Sequence, residues 1–300
     1  MTVEFERQQR QSLRQELSLD PPDVQVMIPI LRAQTVAPLL DLADALVYWH
    51  RGEGQVLGLV EIQSKPGQEL RSAMSERYRS LLQWISATDY RRRPRPMARL
   101  NVQVRVTHRV SWAIREAVYE NGSNLMVIEW PGLASRRRHS LSAVIDDLAE
   151  DPPVDLVLMR PDPAMDGSEL DAARVLVAVR SGPNALLALR AGAALASAHG
   201  GKLVILHVYA SQNHTDHKAQ ERAKFRDLVD QLPYQNVEVL ERSSENPRLA
   251  VLEEACLHPV VALGAQAARP GSPALMTAQM ARIVRQLPKT VILAKSLESA

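Results

Sequence analysis

Residues 173–210, ARVLVAVRSGPNALLALRAGAALASAHGGKLVILHVYA, decide the fold. An apolar run from Val175 to Val179 closes at Arg180-Ser181-Gly182-Pro183 and gives way to a helical run rich in Ala and Leu. Gly200-Gly201 ends that helix, and a second apolar run, Leu203 to Val208, follows. Strand, turn, helix, turn and strand within about forty residues make a βαβ unit of a parallel sheet, with a right-handed crossover. Ser181 or Gly182 can cap the helix, Pro183 suits its first position, and Gly200 suits a left-handed exit.

The same series stands earlier in the chain. VQVMIPI from Val24 to Ile30 reads as a strand, residues 35 to 50 as a helix that Thr35 can cap, and Val56 to Ile62 as a second strand. Ile28-Pro29-Ile30 aligns on Val177-Ala178-Val179, and the helices and strands that follow stay near register. A repeat of roughly 150 residues is a duplicated domain, since each copy can bury its own core. Copy one continues with a helix from Leu70 to Ser86, a strand from Asn101 to Thr107, a helix from Val110 to Tyr119 and a strand from Asn124 to Trp130. A helix from Leu141 to Leu148 and a strand from Val154 to Met159 complete it. Copy two continues with a helix from Lys218 to Gln231, a strand from Val237 to Leu240 and a helix from Pro247 to Leu257. A strand from Val260 to Leu263, a helix within Pro273 to Leu287 and a strand from Thr290 to Ala294 end the series. The expected organisation is a polar tail over 1–23, a first domain over 24–160, a Pro- and Gly-containing linker over 161–172 and a second domain over 173–296.

Composition agrees with that architecture. The 300 residues are 46% hydrophobic but only 4% aromatic, so aliphatic side chains must fill the cores, as in strands covered on both faces. A net charge of +2 gives no ground for a nucleic-acid or membrane-surface partner. The single cysteine, Cys256, excludes an internal disulfide and fits a reducing compartment; its helical, apolar context predicts a buried, inert thiol. Residues 1–23 are polar and charged, unlike a secretory signal, and no run of eighteen apolar residues occurs. A soluble cytoplasmic protein is expected.

The repeated order of elements, the VxV-type first strand and the ending Leu206-His207-Val208 resemble the universal stress protein family over nearly the whole chain. The stretch VMIPILRAQTVAPLLDLA and the arginines after the fourth strand are similar to tandem cytoplasmic domains of amino-acid permeases and cation/proton antiporters. The resemblance implies an α/β fold of two tandem Rossmann-like domains, each a five-stranded parallel sheet of order 3-2-1-4-5 with helices on both faces. It also implies association of the copies as an intramolecular pseudo-dimer, a homodimer as a further assembly, and a membrane transporter as partner.

In ATP-binding members a carboxylate ends strand one, and strand four leads into G-x-x-G-x9-G-[S/T]. Glycines there let backbone N–H groups approach phosphates at a helix N-terminus. Copy one has Leu31 for the carboxylate and Glu129, Gly132, Ser142 and Ala143 along the loop; copy two has Arg180, then Gly264, Ala267, Thr277 and Ala278. A carboxylate at Glu129 would repel phosphate, and lost glycines add Cβ atoms where backbone must come close. No ATP or AMP cofactor is therefore expected. Positions where an anionic metabolite would sit are Arg180, Ser181, Val208, Gly264 and Thr277 in copy two, and Gly132, Arg136, Arg137 and Ser142 in copy one.

Other constellations carry two readings each. Arg136-Arg137-Arg138-His139 is either an anion site rebuilt from guanidinium groups or a solvated loop with one arginine paired to Glu129. Arg91-Arg92-Arg93 and Arg95 fall at the opposite sheet edge and read as a solvated charge run. His214 and His217 have metal-like spacing, but two imidazoles on a polar loop more commonly face solvent, and no metal is expected. His207 reads as a packed core residue. No nucleophile elbow, HExxH or paired catalytic carboxylate is present, which predicts a non-catalytic regulatory module. The first alternative is a small-ligand sensor that binds ATP, AMP or another anionic metabolite in copy two, and the second is an enzyme of nucleotide hydrolysis or adenylation.

Overall fold

The computed structural model describes residues 24–32, 35–61, 68–91, 100–132, 140–165, 170–180, 182–210, 215–265 and 277–297. The tail over 1–23, Ser181, His214 and the arginines at 92–95 and 136–138 lie outside these residues, as do the side chains of Arg91 and His217.

The first half runs β1 (Gln25–Ile30), α1 (Val36–Trp49), β2 (Glu53–Glu61), α2 (Gln68–Arg91), β3 (Leu100–Thr107), α3 (Val110–Asn121), β4 (Leu125–Glu129), α4 (Ser140–Glu150) and β5 (Asp155–Arg160). The second runs β6 (Arg174–Val179), α5 (Pro183–Ala198), β7 (Lys202–Ala210), α6 (Thr215–Asp230), β8 (Val237–Ser244), α7 (Pro247–Ala255), β9 (Val260–Gly264), α8 (Ala278–Gln286) and β10 (Thr290–Lys295). Each half is parallel throughout, in the order β3-β2-β1-β4-β5 or β8-β7-β6-β9-β10. β5 and β10 pair antiparallel, with Val291 opposite Arg160 and Lys295 opposite Leu156, so the ten strands form one sheet.

Because every central strand is covered on both faces, the strands are aliphatic without alternation. One face packs β-strand residues such as Ile28, Val177 and Ile205 under α1, α2, α5 and α6. The other packs Met27, Leu176 and Leu206 under α3, α4, α7 and α8. The small side chains of α5 let it lie against both β6 and α1; His199 at its C-cap meets the buried Asp41 of α1, with Nε2 at 3.1 Å from each carboxylate oxygen.

Contacts across β5 and β10 repeat about an internal two-fold axis, as in an isologous interface. Thr290 Oγ1 accepts from the Asp162 amide at 3.1 Å, and Asp155 Oδ1 accepts from the Leu297 amide at 2.7 Å. Each pair joins the first residue of one half's last strand to the second residue beyond the other's. Arg160 and Lys295, the last residues of the two strands, each reach the end of a helix in the opposite half.

Helix signals were legible with two exceptions. Gly182 at φ +97° caps α5 with Pro183 behind it, and Gly200 exits at φ +61°. Thr35 sits at the N-cap of α1 but makes no side-chain cap bond, because its hydroxyl is used elsewhere. Cys256 is exposed at the C-cap of α7, not buried: the helix ends one residue before it, so the side chain leaves the packed face. β8 runs to Ser244, beyond the expected end at Leu240, because pairing with β7 carries the polar residues Glu241–Ser244 along.

Candidate functional site

In a doubly wound sheet the crevice opens at the carboxyl ends of the strands where their order reverses, here between β1 and β4 and between β6 and β9. Both points carry an N-terminus of a helix, α1 or α5, and the described residues around them differ.

In the first half Pro29 shapes the opening. The Val24 carbonyl takes the Glu53 amide and the Gln25 carbonyl takes the Asn124 amide, so odd-numbered residues of β1 turn their backbone to β4. Pro29 belongs to that set and has no N–H to give. The β1–β4 ladder accordingly ends at Met27, paired with Met126. Beyond it stands Glu129, the last residue of β4, with 0% exposure. Its carboxylate accepts from the Thr35 hydroxyl and the Arg32 Nε. Burial pushes the Glu129 carboxyl above its usual range, while the Thr35 hydrogen bond and the nearby Arg32 charge act against that shift. Arg32, which meets Glu129, comes from the β1–α1 connection, and the arginines at 136–138 lie outside the described residues.

In the second half the residue matching Pro29 is Ala178, and the β6–β9 ladder continues through Ala178, paired with Leu263. The residue matching Glu129 is Gly264. A Cβ there would lie 3.0 Å from the backbone carbon and oxygen of Asn184, so glycine lets the first turn of α5 rest on the end of β9. The Asn184 side chain locks this approach: Nδ2 donates to the Ala265 carbonyl at 2.5 Å, and Oδ1 accepts from the Ser296 amide at 2.6 Å.

The remaining expected positions are dispersed. Arg180 is exposed at the end of β6, Val208 is half-buried on β7, and Thr277 caps α8 by accepting from the Met280 amide at 3.3 Å. Ser142 lies in the first turns of α4. Gly132 has φ +82°, and a Cβ on it would meet Arg160 Cδ at 3.0 Å. Arg136, Arg137 and Ser181 lie outside the described residues.

His207 is buried as expected, and its surroundings match a site in the first half. Its Nδ1 lies 2.9 Å from the Val179 carbonyl at the end of β6, its ring stacks on Phe225, and Nε2 is buried without a partner. Burial pushes its imidazole down, with weaker opposing effects that include the Val179 hydrogen bond and Glu221. The corresponding carbonyl in the first half, that of Ile30, accepts from Arg77 Nη2 at 2.7 Å, delivered from α2. Tyr209 donates to Glu241 at 3.2 Å; burial first, then Glu241, pushes its hydroxyl up to about 12. No cluster of three or more His, Cys, Asp or Glu side chains suited to a metal exists among the described residues. No described helix is long and apolar enough to cross a membrane.

Arg32, Thr35 as an acceptor's partner and Asn184 were missed by sequence reasoning. A polar residue at the first turn of each helix was the available signal, but only the fold brings these side chains to the end of the neighbouring strand.

No family model matches the chain, and no curated protein does. Among solved structures it is similar to a universal stress protein from Archaeoglobus fulgidus DSM 4304, with 20% identity and a TM-score of 0.59, over 91% of this chain and 96% of that one. It is likewise similar to the cytoplasmic domain of a prokaryotic cation chloride cotransporter, with 13% identity and a TM-score of 0.57, over 90% of this chain and 95% of that one. The ten-stranded sheet, its internal repeat and these end-to-end likenesses show that the chain has the fold of a tandem universal stress protein.

Proposed function

We propose that the chain is a non-catalytic regulatory module of the universal-stress-protein type, cytoplasmic, whose two halves act as an intramolecular pseudo-dimer on a protein partner. A membrane transporter is the partner class favoured by the likeness to a cotransporter's cytoplasmic domain. The observation that carries this reading is Glu129. It puts a buried carboxylate, already paired with Arg32 and Thr35, where a phosphate would need those donors. A triphosphate entering the first half would have to displace it against like-charge repulsion. In the second half the first turn of α5 rests on Gly264, where Asn184 donates to the Ala265 carbonyl.

The test is to denature the purified protein, look for released nucleotide by mass spectrometry, and then record thermal shifts with ATP, ADP, AMP and cyclic dinucleotides. The expected result is no co-purified nucleotide and no shift. A ligand present at 100 times its Kd would stabilise the protein by about 2.7 kcal/mol, and such a response would overturn the proposal.

One observation favours a second reading, a sensor of a small anion in the second half. That half carries no carboxylate at the Glu129 position, and the space beside Gly182 at the start of α5 is open. Here a thermal shift abolished by Arg180→Ala would identify the site.

A further inference from the structure

We propose that Arg160 is a strut that ties the backbone leaving β4 in the first half to helix α8 of the second, so that displacement of one is transmitted to the other. The inference stands whether or not either half holds a ligand.

Arg160 ends β5, the strand through which the halves join. Its stem passes under Gly132, close enough that a Cβ on Gly132 would lie 3.0 Å from Cδ and 3.8 Å from Cγ. Its head crosses to the other half: Nη1 donates to the Val284 carbonyl at 2.9 Å, and Nη2 to the carbonyls of Leu287 at 2.5 Å and Lys289 at 3.1 Å. These carbonyls belong to the last turn of α8 and to the turn that follows. The last carbonyls of a helix lack intrahelical donors, and a cation there also meets the negative end of the helix dipole. A planar guanidinium that serves three carbonyls at once is fixed in position. The head is therefore held by three backbone carbonyls, and the stem stands where any Cβ on Gly132 would press on it.

Thr277, which stands at the third glycine position of the family pattern, is the N-cap of helix α8. That helix is short, with nine residues. A push on Arg160 at Gly132 therefore acts on a compact unit whose other end lies at the second half's loop.

The two directions are unequal. Lys295, at the matching end of β10, reaches one carbonyl, that of Ala149 in α4. The second half carries Ala267 where the first has Gly132. The strut with the guanidinium fork and the glycine above it runs from the first half to the second.

Hydrogen–deuterium exchange of the full chain, read by mass spectrometry, tests this. Gly132→Ala places a methyl group against the Arg160 stem and is expected to speed exchange of peptides covering residues 277–290 by roughly three- to ten-fold, as for the loss of a helix C-terminal interaction. Arg160→Met is expected to speed exchange in the same peptides, and the double variant to exchange no faster there than Arg160→Met alone. Arg160→Lys, which keeps the charge and the stem, is expected to fall between the wild type and Arg160→Met and serves if the latter does not fold. An effect of Gly132→Ala confined to the first half, or additivity in the double variant, would overturn the proposal.

Discussion

The ends of β4 and β9 occupy equivalent places in two copies of one fold, yet they are closed by opposite means. In the first half Pro29 stops the β1–β4 ladder early, and a buried carboxylate, Glu129, pairs with Arg32 and accepts a hydrogen bond from Thr35. In the second the ladder continues, a glycine removes the side chain altogether, and Asn184 draws backbone onto backbone. One solution is electrostatic and the other steric. Each depends on a neighbour that the other half lacks, so the two ends are not interchangeable.

That claim is most exposed to Gly264→Glu, which gives the second half the first half's residue. Its Cβ meets the Asn184 backbone with no Arg32 or Thr35 to receive the carboxylate, and a loss of about 3 kcal/mol or more in urea denaturation is expected. An unchanged midpoint would show that the close approach is dispensable. Asn184→Ala should cost about 2 kcal/mol, because the Ala265 carbonyl and Ser296 amide lose their partner together.

The halves should also differ in the sign of their pH response. Glu129 binds its proton more tightly folded than unfolded, so the stability it confers is greatest at low pH. That stability is lost as pH rises from the unfolded value of 4.5 through the raised folded one. Glu129→Gln should remove that slope, seen as a Tm difference between variant and wild type that grows in the variant's favour from pH 4 upward. His207 is the reverse case. Its folded imidazole is harder to protonate, so its contribution is complete above 6.5 and lost as pH falls below that toward the depressed folded value. His207→Phe keeps a ring beside Phe225 and should flatten the acid side of the stability curve; an unchanged acid limb would show that His207 does not set it. The smallest effect is expected for Arg32→Ala, at most about 1 kcal/mol by denaturation, since nearly half of that side chain is in solvent.

Pairing of Arg77 with the Ile30 carbonyl and of His207 with the Val179 carbonyl repeats the theme on a smaller scale. The duplicated fold leaves the same backbone oxygen to be satisfied in both halves. A helix supplies the donor in one and a strand in the other.

What the sequence determined by itself is the architecture. Apolar runs of strand length, the Gly182-Pro183 start and Gly200 exit of α5, and the repetition of that unit specify parallel α/β halves, because periodicity and turn chemistry are local properties of the chain. The sequence also marked Glu129 as a departure from a phosphate-binding pattern and Gly264 as a glycine of that pattern that remains. Only the tertiary structure decided what each of them does. Arg32 and Thr35 are separated from Glu129 by more than ninety residues, and Asn184 from Ala265 by eighty-one. The fate of Arg160 depended equally on the antiparallel β5–β10 pairing, which sets it beside the end of a helix from the opposite half. Such pairings arise from the register of strands and the placement of helices over them, which no local pattern encodes.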